Sequence, residues 1–116
     1  MMPESSLLVV CLCAEWCGVC GEYRSRFELV RSKFPLARFV WVDVEDQADL
    51  VEPIDVEDFP TLLIAVEDEP RFFGTVTPQT ETLERLVRDR LASGGGGALQ
   101  RPDAAQLVVK LRSLPQ

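Results

Sequence analysis

Ala14-Glu15-Trp16-Cys17-Gly18-Val19-Cys20-Gly21-Glu22-Tyr23 decides how the rest of this chain is read, because it joins two cysteines to two different kinds of apolar pattern. Upstream, residues 7–14 form a short, nearly continuous apolar run rich in β-branched side chains, which suits a buried parallel strand better than a helix. Downstream, Tyr23, Phe27, Val30 and Phe34 recur at helical spacing, the stripe of an amphipathic helix that Pro35 ends. Cys17 is therefore expected at, or just before, the first turn of that helix.

Moving outward, Phe39-Val40-Trp41-Val42-Asp43-Val44 reads as a second buried strand, followed by a short, weakly helical connection over residues 46–52. Strand, helix and strand in that order predict a right-handed parallel unit. Residues 61–66 and 71–75 flank Glu67-Asp68-Glu69-Pro70, a hairpin turn that adds an antiparallel pair. Thr77 as N-cap and Pro78 at the first helical position open a helix over about 78–92, with Leu83, Leu86, Val87 and Leu91 on one face. Ser93-Gly94-Gly95-Gly96-Gly97 begins a flexible linker over 93–102. An amphipathic helical extension over 103–116 follows it, opened by Pro102 and Asp103, with Ala104, Leu107, Val108, Leu111 and Leu114 on one side. The expected organisation is one α/β domain over 1–92, the linker, and the extension.

Composition narrows the functions this order can serve. With 116 residues, of which 47% are hydrophobic and 27% charged, the chain supports one modest domain with its own core. A formal charge of -7 repels phosphate backbones and anionic membrane surfaces, so neither nucleic acid nor membrane is an expected partner. The longest apolar run falls far short of the roughly 20 residues a membrane span requires, and no basic segment precedes it as in a signal peptide. A cytoplasmic location is the expectation. Cytosolic thiols are held reduced, and disulfides there are usually transient and catalytic. With 4 cysteines and no histidine, Cys-His proteolysis and most mixed zinc sites lack an essential residue. Four-thiolate metal binding by Cys11, Cys13, Cys17 and Cys20 would need an awkward convergence of strand and helix, and no metal is expected.

A Cys-x-x-Cys at a strand-to-helix junction in a βαβ context signals thiol–disulfide exchange. Unpaired N–H groups and the macrodipole at the helix start favour a thiolate at Cys17, the nucleophile. Cys20, one turn in and more shielded, can attack the Cys17 sulfur of a mixed disulfide and release the bound partner.

Three segments also carry a resemblance. "AEWCGVC" resembles the thioredoxin active-site segment, "VDVED" the end of that family's central strand, and "VEDFPTLLI" the segment holding its cis-proline, in the same order over residues 7–92. The resemblance implies a thioredoxin-like α/β fold whose central mixed sheet of about four strands is flanked by helices. Only a few residues precede the first strand, so a minimal core lacking the usual N-terminal strand and helix is expected. It implies a disulfide reductase with Cys17 and Cys20 as the redox couple, Trp16 as the flat neighbour of the site and Pro60 as the cis-proline. Phe59 would pair its backbone with bound peptide, and Gly18 and Val19 complete the expected substrate-binding set. No cofactor is implied beyond a Cys17–Cys20 disulfide. The expected partners are proteins or small molecules carrying disulfides and a reducing partner such as a thioredoxin reductase or glutathione.

The chain departs from that family's pattern at three places. Val19 replaces the usual proline between the cysteines and adds no charge, which points to a reducing or intermediate potential. Cys11 and Trp41 occupy the positions where thioredoxins generally hold a buried acid and its lysine, so either turnover is slower or water or Cys11 assists deprotonation of Cys20. Cys11 and Cys13 share one strand face. They read as small buried hydrophobes, with Cys11 a candidate accessory thiol if it lies beneath Cys20. Phe39, Trp41, Phe72 and Phe73 read as core aromatics. The acidic run Glu45, Asp46, Asp49, Glu52, Asp55, Glu57 and Asp58 is a solvated loop or a selector of basic partners. The amphipathic tail either covers an otherwise bare sheet face or stays available to a partner. The competing function is a non-catalytic binding module using the groove at Phe59-Pro60.

Overall fold

In the computed structural model, β1 (Leu7–Cys13) is the hinge of the architecture because both of its faces are buried along its whole length. The structure describes residues 7–14, 18–35, 37–52, 54, 56, 58–67, 69–92 and 99–113. Along the chain β1 is followed by α1 (Gly18–Lys33), β2 (Arg38–Asp43), α2 (Ala48–Val51), β3 (Thr61–Val66), β4 (Glu69–Thr75), α3 (Thr80–Ala92) and α4 (Pro102–Arg112). The sheet order is β2-β1-β3-β4. β1 and β2 pair in parallel, as their helical crossover requires, whereas β3 runs antiparallel to both β1 and β4. The four-stranded mixed sheet flanked by helices is the fold that the sequence pattern predicts.

Alternation along β1 divides the core in two. Leu7, Val9, Cys11 and Cys13 face a cluster built with Cys20, Tyr23, Phe27 and Val30 of α1 and Leu83 and Val87 of α3. Leu8, Val10 and Leu12 face the opposite cluster, which contains Val51, Ile54, Leu63, Ala65 and Ala104, Leu107, Val108 and Leu111 of α4. The tail helix is thus seated on the second sheet face. Lys110 Nζ donates to the carbonyls of Glu52 (3.0 Å) and Asp49 (3.5 Å) at the end of α2, and Arg112 Nε donates to the Glu67 carbonyl (2.6 Å). On the first face, Glu84 of α3 is bridged by Lys33 of α1 and Arg88 one turn on.

Some boundaries differ from the sequence reading. α3 begins at Thr80 rather than at Pro78: Leu83 N–H donates to the Gln79 carbonyl, while the Thr77 hydroxyl meets that of Thr82 (2.9 Å). β4 starts two residues earlier than expected, at Glu69, because the turn is tight, with Glu67 at φ 58°. The strand aromatics are less enclosed than a core reading implies. Only Phe39 is buried, whereas Trp41, Phe72 and Phe73 are half-buried and each carries a guanidinium over its ring, from Arg24, Arg90 and Arg101 respectively. Leu114 of the predicted tail stripe lies outside the described residues.

Candidate active site

The sulfur chemistry gathers where β1 ends and α1 begins. Cys13 is the last residue of β1 and Cys20 the third of α1, and both point into the first core cluster at 0% and 1% exposure. Their sulfurs are joined in a disulfide, with the two Cα atoms 5.8 Å apart. The Ala14 N–H, just past the strand, donates to Cys20 Sγ at 3.4 Å. The sequence reading paired Cys20 with Cys17 and kept Cys11 as the accessory thiol. In the structure Cys20 is bonded to Cys13, which that reading treated as packing. The reason lies in strand geometry: Cys11 and Cys13 share a face, but only Cys13 stands at the strand's C-terminal edge, beneath the first turn of α1. Cys11 is a buried free thiol, and its burial pushes its pKa well above the ordinary thiol range. Glu15, Trp16 and Cys17 lie outside the described residues, as do Asp55 and Glu57 of the acidic run.

Gly18 and Val19 open α1 and are exposed, Val19 at 42%. No acidic residue stands in the first turn of α1, and Arg31 and Lys33 close its last turn, so nothing in those turns opposes the positive end of the helix at the cysteine segment. The Phe59-Pro60 peptide is cis. Pro60 is buried, its carbonyl accepts from the Val76 N–H (3.1 Å), and the Thr61 hydroxyl donates to the Asp58 carbonyl (2.6 Å). Phe59 is half-buried against the same core cluster that holds Cys13 and Cys20.

Beside Cys20 opens a cleft of about 430 Å³, lined by Cys20, Gly21, Arg24, Trp41, Asp43, Asp46 and Gln47. β1–β2 register sets two of these lining residues, Trp41 and Asp43, against Cys11 and Cys13. The Arg24 guanidinium lies 5.2 Å from the Trp41 ring centroid, and Phe27 packs edge-on against the same ring with centroids 5.6 Å apart. Asp43 is held in a turn in which its Oδ1 accepts from the N–H groups of Glu45 (2.9 Å) and Asp46 (3.0 Å), while Gln47 Oε1 accepts from the Asp43 N–H (3.1 Å). Sequence reasoning assigned Trp41 to the core and Asp43 to a strand end, and so missed this wall. The signal that could have found it was Trp41 standing where the resembled family places a lysine.

Comparisons with known proteins bear on the family and the fold. The family model described as Thioredoxin matches residues 1–89. A thioredoxin of Ophiophagus hannah is 37% identical over 86 residues, covering 72% of this chain and 79% of that protein. A thioredoxin H-type of Picea mariana is 33% identical over 81 residues, covering 70% of this chain but only 64% of that protein's length. Among solved structures, thioredoxin from Trypanosoma brucei brucei superposes with a TM-score of 0.67 at 26% identity, covering 78% of this chain and 80% of that one. Oxidised mitochondrial thioredoxin 3 of Saccharomyces cerevisiae superposes with a TM-score of 0.65 at 23% identity, covering 75% and 81%, and shares the fold.

Proposed function

Because the chain belongs to the thioredoxin family, we propose that it is a thiol–disulfide oxidoreductase acting as a disulfide reductase, with Cys17 as nucleophile and Cys20 as resolving thiol. The observation that supports this most is the disulfide that Cys20 forms with Cys13 at the junction of β1 and α1, which puts redox-competent sulfur beside the segment that carries Cys17. The Cys17 thiolate, favoured by the start of α1, attacks one sulfur of a substrate disulfide, and the other substrate sulfur leaves as thiolate and is protonated. Cys20 then attacks the Cys17 sulfur of the mixed disulfide, giving Cys17–Cys20 and a fully reduced substrate. Two electrons have passed from the protein to the substrate, and an external thiol or reductase restores the dithiol.

Among the described residues no carboxylate is buried to take the Cys20 proton, and Cys11 stands opposite Trp41 in the sheet. The cleft lined by Cys20, Asp43 and Asp46 gives that proton a route to water instead. Gly18, Val19, Trp16, Phe59 and Pro60 form the substrate-facing surface, and disulfide-bearing proteins or small molecules are the substrates. A thioredoxin reductase or glutathione is the reducing partner. One fold neighbour, at 22% identity, belongs to the thiol resolving mechanism of a yeast mitochondrial 1-Cys peroxiredoxin via glutathione/thioredoxin systems. Among the described residues no helix is long and apolar enough to cross a membrane, and the reading places the chain in the cytoplasm. The test is the equilibrium potential of the full chain, titrated against a thiol buffer, together with insulin disulfide reduction. A reversible two-electron couple near the thioredoxin value of about -270 mV, with turnover lost in Cys17→Ser, supports the reading. Absence of a reversible couple overturns it.

A further inference from the structure

Cys20 has one sulfur and two claims on it. The reductase reading needs it for Cys17, three positions earlier in the chain, while the structure bonds it to Cys13. The Cα separation of 5.8 Å between Cys13 and Cys20 lies at the centre of the range that disulfides adopt, so strand and helix are already positioned for the bond. We infer that Cys13 is a third redox residue of the site, exchanging with Cys17 for the sulfur of Cys20. The inference rests on the reductase reading and adds a step to it.

The step is an isomerisation with no net oxidation. In the Cys17–Cys20 form the Cys13 thiolate attacks Cys20 Sγ; the Cys13–Cys20 bond forms, the Cys17–Cys20 bond breaks, and Cys17 leaves as thiolate, gaining the proton that Cys13 gave up. The reverse step is attack by Cys17 on Cys20. The two forms differ in what they expose. Cys13 and Cys20 are 0% and 1% accessible, so the isomerised disulfide is stored in the core, out of reach of large reductants. Cys17 is returned as a thiol, able to form a mixed disulfide whose usual resolving partner is occupied. The protein would then hold an oxidising equivalent internally while acting as a single-thiol protein toward substrate.

Cys11 does not compete. It is unbonded and sits two residues back along β1, a full side-chain repeat away from the strand end where Cys20 meets Cys13. The Ala14 N–H donated to Cys20 Sγ holds that sulfur in place at the strand end where Cys13 meets it.

The order of glutamates makes the test direct, because cleavage after Glu15 and Glu22 leaves Cys11 and Cys13 on one peptide and Cys17 and Cys20 on the next. The full chain is oxidised with diamide, acid-quenched, alkylated with N-ethylmaleimide and digested at acid pH with a glutamate-specific protease. A Cys13–Cys20 bond links the two peptides covalently and leaves Cys17 alkylated, whereas a Cys17–Cys20 bond closes within peptide 16–22. The expected result is that at least half of the oxidised protein carries the linked peptides with Cys17 alkylated. In Cys13→Ser, and in Cys13→Ala as a second variant, the linked species disappears and the internal 16–22 disulfide replaces it. Wild-type protein giving only the internal disulfide overturns the exchange and leaves the reductase reading standing. A link through Cys11 overturns it as well. Oxidised protein with no disulfide at all overturns both.

Discussion

Truncating Leu107 to alanine tests whether α4 is part of the fold or an appendage to it. Leu107 is 1% exposed and shares its cluster with Leu8, Val10 and Leu12 of β1, each 0% exposed. Removing a leucine from water contributes about 1.5–3 kcal/mol, and the cavity left by truncation adds to this, so Leu107→Ala should cost about 3 kcal/mol. With an unfolding entropy near 2.1 cal/mol/K per residue, that corresponds to a fall in Tm of about 12 °C for a chain of this length. Adding Leu111→Ala, one turn on and equally buried, should cost less than the sum of the two single changes because the two vacated spaces merge. Even so, the double change should remove about 5 kcal/mol, much of the 5–15 kcal/mol that holds a domain folded. Urea unfolding followed by tryptophan fluorescence and by far-ultraviolet circular dichroism gives both quantities, and coincident transitions show that α4 unfolds with the sheet. Val109, on the same helix but 54% exposed, is the control, and Val109→Ala should stay within about 0.5 kcal/mol of wild type. A Leu107→Ala chain as stable as the control would refute the argument that this helix covers the second sheet face.

Tyr23→Phe should raise stability by about 1 kcal/mol, because the Tyr23 hydroxyl is buried with no hydrogen-bond partner among the described residues; a loss of stability in the same urea titration would show that it has one. Cys11 should resist a thiol-specific reagent at pH 8 in the native state and react once the chain is unfolded, and stoichiometric native labelling would contradict its assignment as a protonated core thiol. Glu84 accepts from Lys33 and Arg88, which hold its pKa below the ordinary 4.5. A depressed carboxylate stabilises the fold above its unfolded pKa and loses that contribution as pH falls through the folded value. Its carboxyl resonance should therefore titrate below 4.5 in wild type and move upward in Lys33→Ala, and an unchanged midpoint would remove the bridge between α1 and α3 from the account.

Periodicity, together with turn and cap signals, determined the order β-α-β-(α)-β-β-α, because β1 and β2 are nearly continuous apolar runs, Glu67-Asp68-Glu69-Pro70 marks a hairpin, and the long helices carry apolar stripes. It also located the cysteine segment at a strand-to-helix junction, where spacing and macrodipole make thiol exchange intelligible without coordinates. Sequence left the tail open between two roles, since an amphipathic helix shows that it has a partner but not which surface is its partner. Only tertiary structure decided that Leu107, Val108 and Leu111 meet the even-numbered face of β1. The same limit applied to the sulfurs. Alternation put Cys11 and Cys13 on one face, but which of them reaches Cys20 depends on where the first turn of α1 crosses above β1. That crossing is set by packing of Tyr23, Phe27 and Val30 against the sheet, a long-range property with no signature in the segment itself. Likewise Trp41 read as core from its strand, and register alone made it the wall of the cleft beside Cys20.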